Sequence, residues 1–372
     1  MAEKTYLYNQ HEAAGGKMVD FGGWLLPVQF EGIIAEHDHC RSRVSIFDTC
    51  HMGQFLVRGP KAAKWLSWVC TQNAEKLGVG KCRYGFFLNE SGGVRDDAIM
   101  CRLAEDEFLL TVNSDPTHRD MHWLEAHRWD DGVELVDQSL IWGKFDVQGP
   151  ESFDVLANLT DFDLAEPKFY NARRGKVCGT DGIVARTGYT GELGYEVYLP
   201  GRDLPEAFEA LLSNESVKPA GLGARDLLRL ELCYPLYGQD VTEENNPLEA
   251  DSDRFISFDR EFIGSEALQK VAEQGPVRRL MALKSDTRQR PKHGQEIHHG
   301  SESVGVITSG AFSPSLGVSV ALGYVRSDLC EVGTELTVKT GRRRDLTMTV
   351  AEKPLFREGT CRKKLPLQES KT

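Results

Sequence analysis

The chain has 372 residues, 40% of them hydrophobic and 27% charged, which is enough apolar material for the cores of two or three domains. A formal net charge of −12 argues against general nucleic-acid binding, where neutralised phosphate supplies most of the affinity. No stretch approaches the roughly 18 apolar residues of a membrane span, and nine widely spaced cysteines without a CxxC speak for reduced thiols rather than a disulfide scaffold or zinc knuckle.

The N-terminal stretch MAEKTYLYNQHEAAGG carries no apolar signal core, so the expected location is cytoplasmic. Residues 33–46 carry an amphipathic helical pattern, and a second helix is expected over 60–73, opening after Gly59-Pro60. Tyr84 begins a strand that turns through Glu90-Ser-Gly-Gly into a second strand from Asp97, predicting a hairpin. A further strand starts at Glu107, and 115–128 read as helix. Alternation marks strands at 182–186 and 194–199, with helices over 203–213 and 223–232. From about residue 278 the pattern changes to short strands at 279–284, 303–308, 319–325, 334–340 and 345–351. The last two are linked through Gly341-Arg-Arg-Arg-Asp. Many short strands at close spacing predict a small antiparallel barrel, with a boundary near 272–278.

Several motifs fail. Gly15-Gly16-Lys17 lacks the Ser or Thr and the upstream Gly of a phosphate loop, and no GxGxxG follows a strand. His118 and His122 have no third ligand in view. The ligand-rich run Glu36-His37-Asp38-His39-Cys40 points its side chains in different directions on a helix. No metal site is expected.

Three segments carry more. Asp96 and Asp97 are consecutive on a strand and face opposite ways, so one can be solvated while the other enters a pocket and handles a proton. Thr187 to Glu196 contains three glycines, two tyrosines and two glutamates. The glycines would let a planar ligand approach the backbone, tyrosine offers a stacking face, and a carboxylate can accept two parallel hydrogen bonds. As pattern alone this is equally a glycine-rich hairpin. Arg225 and Arg229 share a helix face, which fits either a bound anion or protein carboxylates opposite them.

Taken together and in chain order, these segments resemble the glycine cleavage T-protein (aminomethyltransferase) family. The matching pieces are MVDFGGWLLPVQF (18–30), FDTCHMG (47–53), YGFFLNESGGVRDDAIM (84–100), VNS (112–114), QGP (148–150), ARTGYTGELGYE (185–196), GLGARDLLRLE (221–231), PLYGQDVTEENNPLEA (235–250), FIGSEAL (262–268) and GVITSGAFSPSLGVSVALGYV (305–325). The resemblance implies an α/β (α+β) fold of three lobes, with a folate-binding region over 1–275 and a β-barrel over 276–372. It implies tetrahydrofolate as co-substrate, no metal and no pyridoxal phosphate. The implied partner is the lipoyl-carrying H-protein, whose aminomethyl group yields ammonia and 5,10-methylenetetrahydrofolate.

Carried over by position, Asp97 resembles the catalytic carboxylate. Glu196 would hold the pterin edge, and Tyr189 and Phe169 would contact its face with Tyr84 nearby. Val112 and Asn113 would line the cavity, Arg225 would meet the aminobenzoyl-glutamate side, and Tyr237 follows in the Leu-Tyr-Gly segment. The sequence departs from the family at 232–235 and at 251–254, where Arg254 replaces an aromatic residue, and at Lys292-His293-Gly294 in the barrel. Arg254 and Lys292 are therefore candidates for the donor side or for docking, with Asp251 and Asp253 as pairing partners for Arg254. The departures leave open a relative that demethylates another amine or sulfonium donor. A folate-binding accessory protein without turnover is the third reading.

Overall fold

The computed structural model describes residues 2–114, 117–341 and 344–366. A six-stranded mixed sheet runs in the order Ala172–Val177, Thr180–Ala185, Gly194–Pro200, Trp142–Gln148, Val44–Asp48 and Val217–Pro219. A five-stranded antiparallel sheet runs Cys82–Leu88, Val94–Ala104, Glu107–Val112, Gly53–Arg58 and Glu134–Asp137. Each sheet has its own core. Phe145, Val147, Tyr195, Val197 and Leu199 pack on the helices Ser152–Leu156 and Leu204–Leu212, while Phe55, Phe87, Met100 and Leu110 pack on Ala62–Val69 and Thr117–Ala126.

The two sheets meet through a smaller cluster of Cys82, Cys101, Leu109, Ile183, Ala185 and Tyr198. The hydroxyls of Thr111 and Tyr198, one from each sheet, lie 2.9 Å apart across this seam. The nine cysteines are free thiols, and Cys82 and Cys101 are direct cross-strand neighbours with their Sγ atoms 2.9 Å apart.

The C-terminal strands close into a six-stranded antiparallel barrel: Arg278–Ser285, Val318–Arg326, Glu302–Ser313, Glu296–His299, Glu335–Val338 and Leu346–Ala351. The short strand at 296–299 is absent from the sequence-based assignment, because four residues reading Glu-Ile-His-His show no alternation to detect. Residues 342–343 of the expected link lie outside the described residues. The helix expected over 33–46 stops at Ser42, and Val44–Asp48 is a fully buried strand, whose apolar run periodicity cannot tell from helix.

The barrel is tied to the remainder by the Leu222–Glu231 helix. Arg229 is fully buried and reaches Asp226 and Asp240, while Asp240 also accepts from Thr308 and Ser309 of the barrel. Glu231 receives Arg41, His37, Ser313 and Ser315. The chain beyond the barrel returns across this junction. Phe356 packs under the Arg41 guanidinium, and Thr360 hydrogen-bonds Glu192 through both its amide and its hydroxyl. The Lys363 carbonyl accepts from Arg186.

Burial opposes ionisation of Glu231, but His37, Arg41 and Ser313 outweigh it and bring its pKa down to about 2 from the ordinary 4.5. A depressed carboxyl contributes stability above its unfolded value and loses it as pH falls toward the folded one. Acid titration is therefore expected to remove roughly 3 kcal/mol through this group alone, between pH 4.5 and about 2. Denaturant melts across that window check it: Glu231→Gln should be less stable at neutral pH and show a shallower acid slope.

Candidate active site

The strand Trp142–Gln148 pairs with Gly194–Pro200 so that Asp146 stands opposite Glu196, and Lys144 opposite Tyr198. Side chains alternate along a strand. Phe145 and Val147 therefore enter the core, while Lys144, Asp146, Glu196 and Tyr198 share the other face. The Lys144 ammonium lies 2.6 Å from Asp146, 3.0 Å from Glu196 and 3.1 Å from the Thr49 hydroxyl, so its three donors are used. Asp146 turns its second oxygen to Arg225 at 2.7 Å. Burial works against the Asp146 charge, yet Lys144 and Arg225 together hold its pKa below the usual carboxylate range. Glu196 also accepts the Tyr198 hydroxyl on Oε2 at 3.1 Å, and none of these contacts uses its Oε1.

The five-stranded sheet supplies an acid corner. Tyr84 sits diagonally across the hairpin from Asp97 and donates to its Oδ2 at 2.5 Å. The Asn113 side-chain amide donates to Asp97 Oδ1 at 2.5 Å and to Asp96 Oδ1 at 2.7 Å. Burial raises the Asp97 pKa, and the bonds from Tyr84 and Asn113 pull back against it. The Tyr84 phenol is pushed well up by burial and by the Asp97 charge. The hairpin turn brings Gly92 to φ 84°, and at Gly93 a Cβ would stand 2.0 Å from the Glu243 carbonyl, which accounts for the glycine pair.

Aromatic side chains surround this corner. Tyr84 makes an edge contact with Phe255 at 4.8 Å, and Tyr189 stacks on Tyr234 at 5.8 Å with its hydroxyl on the Pro235 carbonyl. The Arg225 guanidinium lies 5.0 Å from the Tyr189 ring centre. Phe169 packs on Tyr170, and Arg362 covers Phe169. Tyr84 is electrostatically coupled to Asp97, Tyr189 and Tyr170, and Tyr170 to Tyr234 and Glu196. These groups therefore border one region.

Several expectations need correction. Asp96 is not the solvated partner of Asp97: it is fully buried, with both oxygens held by Asn113. Val112 does not line the site with its side chain, which is buried in the core of the five-stranded sheet. Gly188 and Gly194 face not a planar ligand but the Gln148 side chain, where a Cβ would stand 2.2–2.3 Å from its amide. Asp251 pairs with Arg279 and Lys353 rather than with Arg254. Arg254 is exposed and lies over the Phe255 ring at 4.7 Å. Of the two alternatives for Arg225 and Arg229, protein carboxylates are what they face, Asp146 and Asp240. Tyr237 accepts from Arg119 at 2.7 Å and packs in the cluster that holds Tyr84 and Phe255, while Lys292 stands exposed on the barrel.

Sequence reasoning missed Lys144, Asp146, Tyr170 and Arg362. Two charged residues alternating with Phe145 and Val147 were the available signal for the first pair. Tyr170 is held at φ 62°, a conformation that costs a non-glycine residue of order 1–3 kcal/mol. Its amide and carbonyl are both tied down, to Arg186 and Cys82. Among the described residues no cluster of three or more His, Cys, Asp or Glu is placed to hold a metal ion.

The family model described as the GCVT N-terminal domain matches residues 7–260, and that of the glycine cleavage T-protein C-terminal barrel domain matches 278–357. The aminomethyltransferase of Desulforamulus reducens is 38% identical over 95% of this chain and 98% of its own length. That of Thermotoga petrophila is 38% identical over 98% and 100%. The crystal structure of glycine cleavage system aminomethyltransferase T from Bartonella henselae superposes with a TM-score of 0.92 at 32% identity, covering 97% of this chain and 99% of the other. The chain belongs to the glycine cleavage T-protein family and is an aminomethyltransferase.

Removing one partner of a buried ion pair leaves the others unpaired, at a cost of about 3–5 kcal/mol. Lys144→Met should therefore lose stability on that scale in urea melts. Lys144→Met combined with Glu196→Gln should recover part of the loss, since Asp146 keeps Arg225 and no buried carboxylate is left without a cation.

Proposed function

We propose that the acid corner and its aromatic surround bind reduced folate, with tetrahydrofolate as the one-carbon acceptor. The donor in this reading is the aminomethyl group on the lipoyl arm of H-protein, and the setting is the cytoplasm. Residues 1–275 are assigned to folate binding and 276–372 to the barrel domain. Two nitrogens of tetrahydrofolate take up the carbon as its bonds to the amino nitrogen and to the lipoyl sulfur break, releasing ammonia and the reduced lipoyl arm, and neither a metal nor pyridoxal phosphate is called for.

The observation that carries the reading is Asp97. It is a carboxylate fixed from both sides, by Tyr84 and Asn113, yet it is not sealed in the core. Ionised, it can accept a hydrogen bond from the acceptor nitrogen, orient it and take up its proton. Burial raises its proton affinity toward the range useful for that exchange. Tyr189, Phe169 and Tyr84 offer ring faces and edges to a pterin. Glu196 keeps Oε1 for an N–H donor on the ligand, and Lys144 fixes the other oxygen. Arg225 neutralises Asp146 and lies along Tyr189, on the side assigned to the ligand's aminobenzoyl-glutamate part.

Calorimetry with tetrahydrofolate in the presence of chelator is expected to show binding, and absence of heat with folded protein would refute the reading. With aminomethylated H-protein as donor, Asp97→Asn should lower kcat by ~10²-fold or more, with a smaller change in folate affinity. Arg254, exposed and without a carboxylate partner among the described residues, is assigned to docking the acidic face of a protein donor. Arg254→Trp should raise the KM for H-protein, by an amount that shrinks at high salt, and leave folate affinity unchanged.

A further inference from the structure

Two hydroxyls hold a carboxylate of one sheet against a strand of the other. Tyr198 belongs to the apolar seam cluster and is fully buried, and Thr111 is buried against it. Glu196 precedes Tyr198 by two residues on its strand, so the two side chains share a face. Thr111 precedes Asn113 by two, and Asn113 gives its side-chain amide to Asp97 Oδ1 at 2.5 Å. The face of the five-stranded sheet that meets the seam is also the one that carries Asp97. Thr111 pairs with Ile99, and Asp97, Ile99 and Cys101 alternate onto one side. Glu196 and Asp97 therefore each stand two residues along a strand from the Thr111–Tyr198 contact, roughly 7 Å.

The direction of these hydrogen bonds follows from the partners. Glu196 Oε2 accepts from the Lys144 ammonium at 3.0 Å and from the Tyr198 hydroxyl at 3.1 Å. A carboxylate offers no proton, so the single Tyr198 hydroxyl hydrogen is spent there. The 2.9 Å bond across the seam is then donated by Thr111 to the phenol oxygen. Burial, then the Glu196 charge, push the Tyr198 phenol well above its ordinary range, which keeps that hydrogen in place. Lys144 thus holds Oε2 from within its own sheet, and Tyr198 passes on the hold of the other.

We infer that Thr111 and Tyr198 are positioning residues, which set Glu196 in register with Asp97 across the seam. The inference rests on the proposed roles of Glu196 and Asp97 and adds a requirement to them. A ligand held on Glu196 Oε1 presents its reacting nitrogen to Asp97 only when the two sheets keep one spacing. Apolar packing across the seam has no preferred direction, and the hydroxyl pair supplies one. A misplacement of ~1 Å at the reacting atoms can lower a rate by about 10²-fold. A bond that fixes the spacing therefore acts on turnover without touching the ligand.

Isosteric variants read the bond from both ends. Tyr198→Phe keeps the ring and removes a donor from Glu196, so the Kd for tetrahydrofolate should rise about ten-fold. In a Glu196→Gln background the same change should add nothing, because Tyr198 acts on the ligand only through that carboxylate. Thr111→Val leaves Glu196 both of its donors. Its folate Kd should stay within about two-fold of the unmodified value, while kcat with aminomethylated H-protein falls about ten-fold. Thr111→Ser keeps the hydroxyl and should restore kcat. Calorimetry gives both the Kd and the number of folate-binding sites, and kcat is counted per site, so partial unfolding of a variant distorts neither value. An equal penalty for Tyr198→Phe in both backgrounds, no penalty in either, or a Thr111→Ser no better than Thr111→Val would overturn the inference. Glu196→Gln by itself separates the two readings. Unchanged affinity there removes Glu196 from the ligand, and the inference falls with it. Weakened binding there, with none from Tyr198→Phe, overturns the inference and leaves the folate reading standing.

Discussion

Lys144 carries a full positive charge into a place with almost no water, and two sheet strands are organised around it. Its position opposite Tyr198, two residues from Asp146 and diagonal to Glu196, follows from strand register alone. An ammonium buried this deeply is tolerated only with its donors satisfied, and Thr49, Asp146 and Glu196 satisfy them. Each acid is thereby committed to one orientation. Arg225 completes the row, so the six-stranded sheet presents alternating charges rather than a net field. Asp97, the carboxylate proposed to react, sits on the other sheet, apart from that row, and has a separate set of neighbours.

This division explains how one region can hold so many ionisable groups. On one side, opposite charges cancel pairwise. On the other, Asp96 and Asp97 stand next to each other on one strand, and the Asn113 amide donates to both. Tyr84 and Asn113 stabilise the Asp97 anion while burial destabilises it, and the balance raises its pKa above the ordinary carboxylate value. Tyr170, held in a left-handed conformation by bonds on both of its peptide groups, closes the aromatic rim between the two sets.

Much of this architecture was legible in the sequence. The hairpin around Gly92, the helix carrying Arg225 and Arg229, and the change to short strands near residue 278 all follow from local pattern. The tyrosines and Asp97 stand in segments whose composition already pointed to a ligand. Lys144 and Asp146 were hidden, because charged residues alternating with Phe145 and Val147 read as an ordinary half-exposed strand, and only the seam between sheets buries their outer face. Asp96 misled for a related reason. Alternation correctly turned it away from Asp97, but the far face of that strand is covered by a helix rather than by water. Local pattern states which way a residue points and is silent on what a distant segment lays over it.

The return of the chain's end across the junction adds an order in time. Arg41 and Glu192 belong to the first and middle parts of the chain, yet Phe356 packs on one and Thr360 satisfies the other. Arg362 covers Phe169, and Lys363 receives Arg186. A protein made from its N-terminus forward leaves these groups uncovered until residues 356–363 have left the ribosome. Each of the two sheets has its own core, but the Phe169 edge of the aromatic rim is covered only by the segment beyond the barrel. The rim around Phe169 is thus closed by sequence that follows the barrel, not by the sheets that carry it.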